Sequence, residues 1–285
     1  MKSKNILIAG AGGFIGRAVA EHFQQHKVLL ACRTDFNGHE ETFVRKYETA
    51  EVIMNFTGTP VIRRWTRKNK EVIMRSRIEP TRKLGLIISR GKTMERHYIT
   101  ASAIGIYPDN GIHTEGSKAR SNDFLNEVVE SWEREALEIE TTDCPVCILR
   151  IGVVLGKDGG MLKRVMPVFK MGLGGRIGSG KQAFSWIHMQ DLLRALEFII
   201  KEKGSGIYNL VSPGICTNDE FTRELAAAVR RPAWFSVPGW ILRLIYGKAA
   251  AIISGGPEVI PQRLIREGFE FLYTDVGTAL QDLVN

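Results

Sequence analysis

The sequence has few cysteines and no evident metal-binding set. Four cysteines in 285 residues suit a reducing compartment. Cys144 and Cys147 have the spacing of a redox pair, but they lead into an apolar strand, on which side chains three residues apart point to opposite faces. The pattern therefore favours structural thiols over a redox disulfide, and no metal site is predicted.

Long hydrophobic runs are also missing. The best candidate, residues 240–254, is interrupted by Arg243 and Lys248, so nothing reaches membrane-spanning length. The first apolar run is a short strand rather than a secretory signal. We therefore expect a cytoplasmic protein without a membrane partner. At 44% hydrophobic and 25% charged residues, the composition is that of an ordinary globular protein.

The formal net charge is +8, and much of the excess lies in residues 63–83. Nine Lys and Arg residues in this stretch are opposed only by Glu71 and Glu79. No aromatic interleaving or nucleic-acid motif accompanies them, so we expect no nucleic-acid partner. A solvated basic helix beside an anionic cofactor is the favoured interpretation.

The stretch from residue 5 to residue 20 organises the chain. Residues 5–9 have the length and apolarity of a strand, and a helical pattern follows Gly16. Between them, glycines recur at Gly10, Gly13 and Gly16. Glycines in such a turn allow the chain to reverse, the backbone to approach a pyrophosphate, and the helix to pack closely on the strand. The pattern predicts dinucleotide binding at the helix N-terminus; the alternative is a glycine-rich turn without a ligand.

A second predicted strand, residues 27–32, ends at Arg33. In a doubly wound sheet the residue at this strand end faces the adenosine ribose. An arginine there suits the 2′-phosphate of NADP, whereas an acidic residue would bind the 2′-hydroxyl of NAD. Arg33 therefore favours NADP(H), although Asp35 keeps NAD open.

Later strand ends carry polar and small side chains. Residues 51–56 form a predicted strand that ends at Phe56 and is followed by Thr57 and Gly58. We expect these three residues to lie over the cofactor. Residues 97–101 form a further strand, followed by Ser102 at its carboxyl end, where this architecture puts chemistry. The ordering predicts an α/β fold with a doubly wound parallel sheet and a smaller C-terminal α/β lobe.

Several local features are predicted from single residues and short patterns rather than from a motif. Residues 42–45 have room for a brief strand, and Pro80 is expected to open a helix over residues 81–89. Residues 147–156 read as one strand. Asp191 is expected to cap the helix over residues 192–202, while His188 is interpreted as a packed structural histidine.

Taken together, these pieces resemble an extended short-chain dehydrogenase/reductase, and more narrowly the uncharacterised epimerase-family proteins of its atypical group, which carry a C-terminal domain of unknown function. The resemblance covers nearly the whole chain. It rests on these motifs: Gly10-Ala-Gly-Gly-Phe-Ile-Gly16, Arg63-Arg-Trp-Thr66, Ser76-Arg77, Arg150-Ile-Gly-Val-Val-Leu-Gly156, Gly172-Leu-Gly-Gly, Ile177-Gly-Ser-Gly180, Trp186-Ile-His188, Ile260-Pro-Gln-Arg-Leu264 and Gly268-Phe269.

The resemblance implies a Rossmann domain over residues 1–155, completed by elements from about residues 183–211, that binds NADP(H). Residues 156–182 and 212–285 would form the lobe that closes the substrate cleft. A small-molecule substrate is implied, and a homodimer is allowed. The implied cofactor contacts are Gly10, Gly13, Phe14, Ile15, Gly16, Cys32, Arg33, Phe56, Thr57, Gly58, Glu71, Arg77 and Val153. Glu71 and Arg77 are six residues apart and do not share one face of a straight helix.

The sequence departs from short-chain dehydrogenases at their Tyr-x-x-x-Lys helix, which supplies the usual acid and base. The equivalent residues 123–129 contain neither tyrosine nor lysine. Ser102, Tyr107 and Glu127 are the candidate catalytic residues that remain. Two functions stay open: an NADP(H)-dependent oxidoreductase or epimerase acting on a nucleotide sugar or another carbonyl or hydroxyl compound, and a non-catalytic NADP(H)-binding regulator.

Overall fold

The fold was analysed in a computed structural model, which describes residues 3–284. The strands are β1 (Asn5–Ala9), β2 (Lys27–Ala31), β3 (Val52–Asn55), β4 (His97–Ala103), β5 (Ile112–His113), β6 (Val146–Ile151), β7 (Val153–Leu155), β8 (Gly175–Ile177), β9 (Ala183–Phe184), β10 (Trp186–His188), β11 (Gly206–Leu210), β12 (Cys216–Thr217), β13 (Phe235–Val237) and β14 (Glu258–Val259). The α-helices are α1 (Phe14–His22), α2 (Arg33–Asn37), α3 (Glu40–Tyr47), α4 (Arg67–Arg90), α5 (Phe124–Leu137), α6 (Gly160–Lys170), α7 (Met189–Lys201), α8 (Asn218–Ala228), α9 (Gly239–Tyr246), α10 (Ala251–Ser254), α11 (Gln262–Arg266) and α12 (Val276–Val284).

Six strands form one parallel sheet in the order β11-β6-β4-β3-β1-β2. The chain runs outward from β1 to β2 and then crosses back to β3 on the other side of β1. The order therefore reverses between β1 and β3, which is where doubly wound sheets bind ligands outside the carboxyl ends of their strands.

Helices cover both faces of this sheet, as the prediction of a doubly wound α/β fold requires. Ile6 and Ile8 share a core with α1 and α7, whereas Leu7 and Ala9 share another with α3, α4 and α5. Alternate residues of one strand thus enter opposite cores. This explains why the strands are continuously apolar, and the predicted fold class is confirmed.

The prediction of a brief strand at residues 42–45 is wrong. This segment belongs to α3, preceded by the short helix α2. Phe43 and Tyr47 are buried four residues apart, which is helical spacing. Glu40 and Glu41 lie in the first turn and Arg45 and Lys46 in the last, so their charges complement the helix dipole.

Pro80 does not open a helix but lies inside α4, which runs unbroken for 24 residues. The missing proline N–H removes one backbone hydrogen bond. Ile73 before the proline and Leu84 after it are both fully buried. Tertiary packing on both sides therefore keeps the helix continuous.

The single strand predicted for residues 147–156 is two strands, divided at Gly152. Gly152 N–H donates to Leu210 O, whereas Val153 N–H donates to Ser185 O, so the chain changes partner from β11 to β10. A Cβ at Gly152 would lie 2.7 Å from Ser185 O. This close approach requires glycine at the change of partner.

His188, not Asp191, caps α7: its Nδ1 accepts a hydrogen bond from Gln190 N–H at 3.2 Å. Its ring lies against Tyr273, in keeping with a structural histidine. Asp191 is fully buried three residues into the helix, and its carboxylate accepts from the N–H groups of Leu272 and Tyr273. Asp191 thus ties the C-terminal segment to α7.

A smaller core gathers α6, α8 and α12 around Trp186 and Phe221. Short strand pairs join distant segments there: β8 with β13, β9 with β12, and β5 with β14. None of the helices within residues 3–284 combines the length and apolarity needed to cross a membrane.

Candidate functional site

The glycine turn after β1 lies at the carboxyl edge of the sheet, beside the start of the chain segment that follows β3. Gly10 has a φ of 87°, and a Cβ there would lie 2.6 Å from the carbonyl carbon of Phe56. A Cβ on Gly16 would overlap the carbonyl oxygen of Gly10. Gly13 N–H donates to Gly10 O at 2.9 Å, which closes the turn. The turn is therefore packed backbone to backbone at Gly10 and Gly16, where there is no room for a side chain.

The N-terminus of α1 faces this turn without a side-chain cap. Gly13 is the N-cap, and the first turn contains no acidic residue. A Cβ at Gly12 would have no atom within 4 Å, so this position opens onto free space. Uncapped N–H groups beside open space form an anion site at the positive end of the helix. These residues fit a dinucleotide pyrophosphate.

Two residues of the turn have additional neighbours. The ring of Phe14 packs against the backbone at Gly156, Gly159 and Gly160, where Cβ atoms would overlap it or lie within 3 Å. Ile15 is partly buried against the main core. Phe14 therefore connects the glycine turn to the start of α6.

Two charged side chains follow the end of β2: Arg33, and Asp35, whose carboxylate is hydrogen-bonded within the protein. Asp35 accepts from Cys32 N–H at 2.7 Å and from Tyr47 Oη at 2.9 Å, and it pairs with Lys46 at 2.5 Å. Burial opposes ionisation, but these hydrogen bonds and the Lys46 charge outweigh it and lower the pKa of Asp35. Arg33 is exposed, and no carboxylate among residues 3–284 lies within ion-pair distance of its guanidinium.

The segment after β3 lies over a partly buried arginine. Phe56 N–H donates to Ala9 O, and the backbone N–H and hydroxyl of Thr57 both donate to Asn55 Oδ1. A Cβ at Gly58 would lie 3.1 Å from the guanidinium carbon of Arg77. Arg77 donates to Thr59 O and Ile73 O, and burial lowers its pKa to about 10. It therefore remains charged at neutral pH.

Glu71 lies on a different face of α4 from Arg77. Its side chain is exposed and 3.8 Å from Arg75. The spacing of Glu71 and Arg77 in the sequence indicated that they lie on different faces of the helix. In the structure the two side chains do not come together.

The end of β4 contains a buried polar network. Ser102 Oγ donates to Glu133 Oε1 at 2.6 Å. Arg150 Nε and Nη2 donate to the two Glu133 oxygens at 2.8 and 2.7 Å, a bidentate pair. All three residues are buried. The Ser102 proton thus points to Glu133, which leaves the Ser102 oxygen lone pairs as acceptors.

Tyr107 belongs to the same network. Its hydroxyl accepts from Arg150 Nη1 at 2.8 Å and lies 3.0 Å from both Thr114 O and Asn209 Oδ1. The ring stacks on His113. Burial raises the pKa of Tyr107 despite the opposing effect of Arg150. The structure therefore joins Ser102 and Tyr107 through Glu133 and Arg150.

The other predicted residues lie apart from this network. Glu127 is exposed in the first turn of α5. Val153 begins β7 and is partly buried. The catalytic roles of Ser102, Tyr107 and Glu127 and the cofactor contacts that the family resemblance implies stay predictions.

Glu133 and Arg150 were missed by the sequence analysis. A charged residue in the middle of an apolar strand, as in Cys147-Ile-Leu-Arg150-Ile, indicates a buried partner because an unpaired buried charge is costly. That signal was available for Arg150. Glu133 also lies on an apolar stripe of α5, four residues after Val129 and three before Ala136, and this spacing indicates a buried position.

The cysteines are all free. Burial raises the pKa of Cys144 to about 11 and moves that of Cys147 upward as well, so neither is a reactive thiolate. Within residues 3–284, no cluster of three or more His, Cys, Asp or Glu side chains could hold a metal ion.

A doubly wound parallel sheet with a glycine turn at its switch point defines a Rossmann-type dinucleotide-binding protein. Comparison with known families makes this specific. Residues 6–210 match the NAD dependent epimerase/dehydratase family, and residues 237–283 match a domain of unknown function. The chain belongs to the NAD-dependent epimerase/dehydratase family, and the family resemblance inferred from sequence is confirmed.

Relatives match over the full length. An epimerase family protein of Staphylococcus saprophyticus is 34% identical, covering 99% of this chain and 100% of the relative. The chloroplastic SDR39U1 homolog of Arabidopsis thaliana is 33% identical, covering 98% of this chain and 86% of the relative.

Solved structures agree on the fold. The human epimerase family protein SDR39U1, crystallised with NADPH, superposes with a TM-score of 0.90 at 27% identity, covering 98% of this chain and 99% of that one. A UDP-glucuronic acid 4-epimerase from Bacillus cereus superposes with a TM-score of 0.79 at 14% identity, covering 98% of each chain, which is a likeness of fold alone. The prediction of a nicotinamide dinucleotide cofactor is confirmed at the level of the family.

Proposed function

We propose that this protein is an NADP(H)-dependent oxidoreductase or epimerase that acts on a nucleotide sugar or another small carbonyl or hydroxyl compound. The observation that carries the proposal is at the end of β2. The only acidic side chain at this strand end, Asp35, is held by Cys32, Lys46 and Tyr47, while Arg33 is exposed and unpaired among the described residues. A free arginine suits a 2′-phosphate, and an occupied aspartate is unsuited to a ribose hydroxyl.

The glycine turn and the N-terminus of α1 would hold the pyrophosphate, and Arg33 the 2′-phosphate. Phe56, Thr57 and Gly58 border the same edge beside the partly buried charge of Arg77, which lacks a carboxylate partner within residues 3–284. When bound, NADP(H) supplies hydride exchange with a substrate carbon. The NADPH in the crystal structure of human SDR39U1 supports the choice of cofactor.

Ser102 is the candidate to orient the substrate. Because its proton is directed to Glu133, its oxygen is set to accept a hydrogen bond from a substrate hydroxyl. Arg150 fixes Glu133 from both oxygens, so the Ser102 hydroxyl has one preferred direction. The cytoplasmic location remains a prediction.

Thermal unfolding with each cofactor tests the proposal. At a hundredfold excess over its dissociation constant, NADPH stabilises the protein by about 2.7 kcal/mol, or a rise of roughly 5 °C in Tm. NADH at equal concentration should give a clearly smaller rise. Arg33→Ala should weaken NADPH binding by about tenfold or more and leave NADH unchanged.

Arg134→Ala is the matched control, because Arg134 is also an exposed helix arginine without an ion pair in the described part of the chain. It should retain the preference for NADPH. Equal stabilisation of the native protein by NADPH and NADH would refute the assignment of Arg33.

A second candidate is a non-catalytic NADP(H)-binding regulator. It is favoured by the exposed position of Glu127 and by the burial of the Tyr107 hydroxyl in the Arg150 network, since α5 lacks the usual tyrosine and lysine. The two candidates differ in turnover. Purified protein with NADPH and a broad panel of carbonyl substrates should oxidise the cofactor if it is an enzyme, and Ser102→Ala should reduce the rate. Binding of NADPH with no oxidation by any substrate would favour the regulator.

A further inference from the structure

The C-terminal lobe exposes large apolar side chains at one tip. The tip is formed by residues 170–178, residues 231–237 and α9. Trp234 is 88% exposed, Trp240 67%, Leu244 66% and Met171 64%, and Leu173 and Phe235 are more than half exposed. Single exposed apolar residues are ordinary, but a group of this size indicates an interaction surface.

These side chains lie on neighbouring segments. β8 pairs in parallel with β13, Arg231 Nε donates to Lys170 O, and Pro232 lies beside Gly172. Along α9, Leu242 is buried, whereas Trp240 and Leu244 are four residues apart on the opposite, exposed side. The tip therefore carries its aromatic and aliphatic side chains on two paired segments and on α9, which follows β13 directly along the chain.

Two sequence segments of this lobe contain no acidic residue. Residues 159–190 and 225–257 carry nine Lys and Arg residues and not one Asp or Glu. All nine are exposed, and only Arg176 has an ion-pair partner among residues 3–284, Asp219 at 3.5 Å. Since the whole chain has 39 basic against 31 acidic residues, removing these nine leaves the remainder close to neutral.

A basic residue outside the lobe also contacts α9. Arg64, in the loop before α4, donates to the carbonyl oxygens of Leu244 and Ile245 at the end of α9. Arg63 and Arg67 flank that contact in the sequence. Arg64 thus places a cation at the C-terminal end of α9.

We propose that this tip docks on the surface of an anionic lipid membrane. Exposed Trp, Phe and Leu side chains on segments that also carry exposed Lys and Arg have the chemistry of an interfacial anchor: the aromatic rings enter the headgroup region and the cations meet the anionic lipids. A second copy of the chain fits poorly, because two surfaces of the same net positive charge repel each other. The sequence-based expectation of no membrane partner rested on the lack of a spanning segment, and a peripheral contact needs none.

Sedimentation with lipid vesicles tests the proposal. The protein should pellet with vesicles of phosphatidylcholine mixed with phosphatidylglycerol, not with phosphatidylcholine alone, and less in high salt. Trp234→Ser combined with Trp240→Ser should weaken binding at least tenfold. Arg230→Gln combined with Arg231→Gln should weaken it about fivefold for each charge removed.

Matched controls separate the tip from general surface properties. Ile112→Ser with Leu272→Ser changes two apolar residues that are exposed elsewhere, and Lys27→Gln with Lys201→Gln removes two distant surface charges. Both pairs should bind vesicles as the native chain does. The emission of the tip tryptophans should shift to shorter wavelength on binding, whereas Trp132 and Trp186 are already buried and the partly buried Trp65 lies outside the tip.

Three outcomes would overturn the proposal. One is the absence of pelleting with either vesicle. Another is a dimer in sedimentation velocity that the tryptophan pair abolishes, with no vesicle binding, which would make the tip a self-association surface. The third is salt-sensitive retention on DNA without vesicle binding, which would assign the basic face to nucleic acid.

Discussion

The two halves of the carboxyl edge of the sheet are built in different ways. The half at β1, β2 and β3 presents a glycine turn, an uncapped helix end and Arg33, which has no ion-pair partner among residues 3–284. The half at β4, β6 and β11 consists of buried side chains that are hydrogen-bonded to one another, Ser102, Glu133, Arg150, Tyr107 and Asn209. In the first half the backbone N–H groups at the start of α1 have no side-chain cap, whereas in the second half the polar side chains are hydrogen-bonded to one another.

This difference indicates different tasks. Backbone N–H groups that lack partners are completed by a ligand, so the first half is suited to hold a cofactor. A fully bonded network is rigid and specifies one arrangement of its members, so the second half is suited to fix the direction of a single hydroxyl, that of Ser102. Variants that act on one half and spare the other test this division.

The largest effect is expected from breaking the buried ion pair. Arg150→Met leaves Glu133 charged and unpaired in a site where the two side chains are 1% and 10% exposed. We expect a loss of about 3–5 kcal/mol in the free energy of unfolding, measured by denaturant titration. The double variant Arg150→Met/Glu133→Leu should recover most of this loss, because no charge is then left buried.

Arg90→Met is the control for an exposed pair, since Arg90 and Glu40 are more than half exposed. Its cost should be no more than about 1 kcal/mol. A similarly small cost for Arg150→Met would contradict the view that the network fixes this half of the edge.

The next largest effect should follow from filling the glycine turn. Gly16→Ala puts a Cβ into the carbonyl oxygen of Gly10, and the required backbone shift should cost about 1–3 kcal/mol. NADPH binding should fall with it, because the turn positions the helix N-terminus. Gly12→Ala is the matched control: nothing lies within 4 Å of its Cβ, so its Tm without ligand should stay at the native value. An unchanged Tm for Gly16→Ala would show that the turn can relax.

The same difference explains what could be predicted from sequence. The glycine turn and Arg33 depend on neighbours within a few residues, so spacing alone indicated their positions. The network depends on partners far along the chain: Ser102 and Glu133 are 31 residues apart, and Tyr107 and Asn209 are 102 apart. Local patterns carry no record of such pairs. The local errors have the same origin, since the burial of Ile73 and Leu84 carries α4 past Pro80.

The smallest effect tests whether Asp35 is structural or binds the cofactor. Asp35→Asn removes the carboxylate that accepts from Cys32 N–H and pairs with Lys46, and should cost about 1 kcal/mol at neutral pH. Because the pKa of Asp35 is lowered in the folded state, the stabilisation is present above the ordinary value of 3.8 and is lost as pH falls through the folded value. The Tm difference between native and Asp35→Asn proteins should therefore shrink on acidification.

Asp143→Asn, at an exposed position where the structure gives the carboxylate no hydrogen bond within residues 3–284, should change the Tm little at any pH. The decisive measurement is cofactor preference. If Asp35 serves only to cap α2 and hold Lys46, Asp35→Asn should keep the larger stabilisation by NADPH over NADH. A selective loss of NADH binding would instead make Asp35 a ribose ligand, and Arg33 would no longer be the residue that decides between the two cofactors.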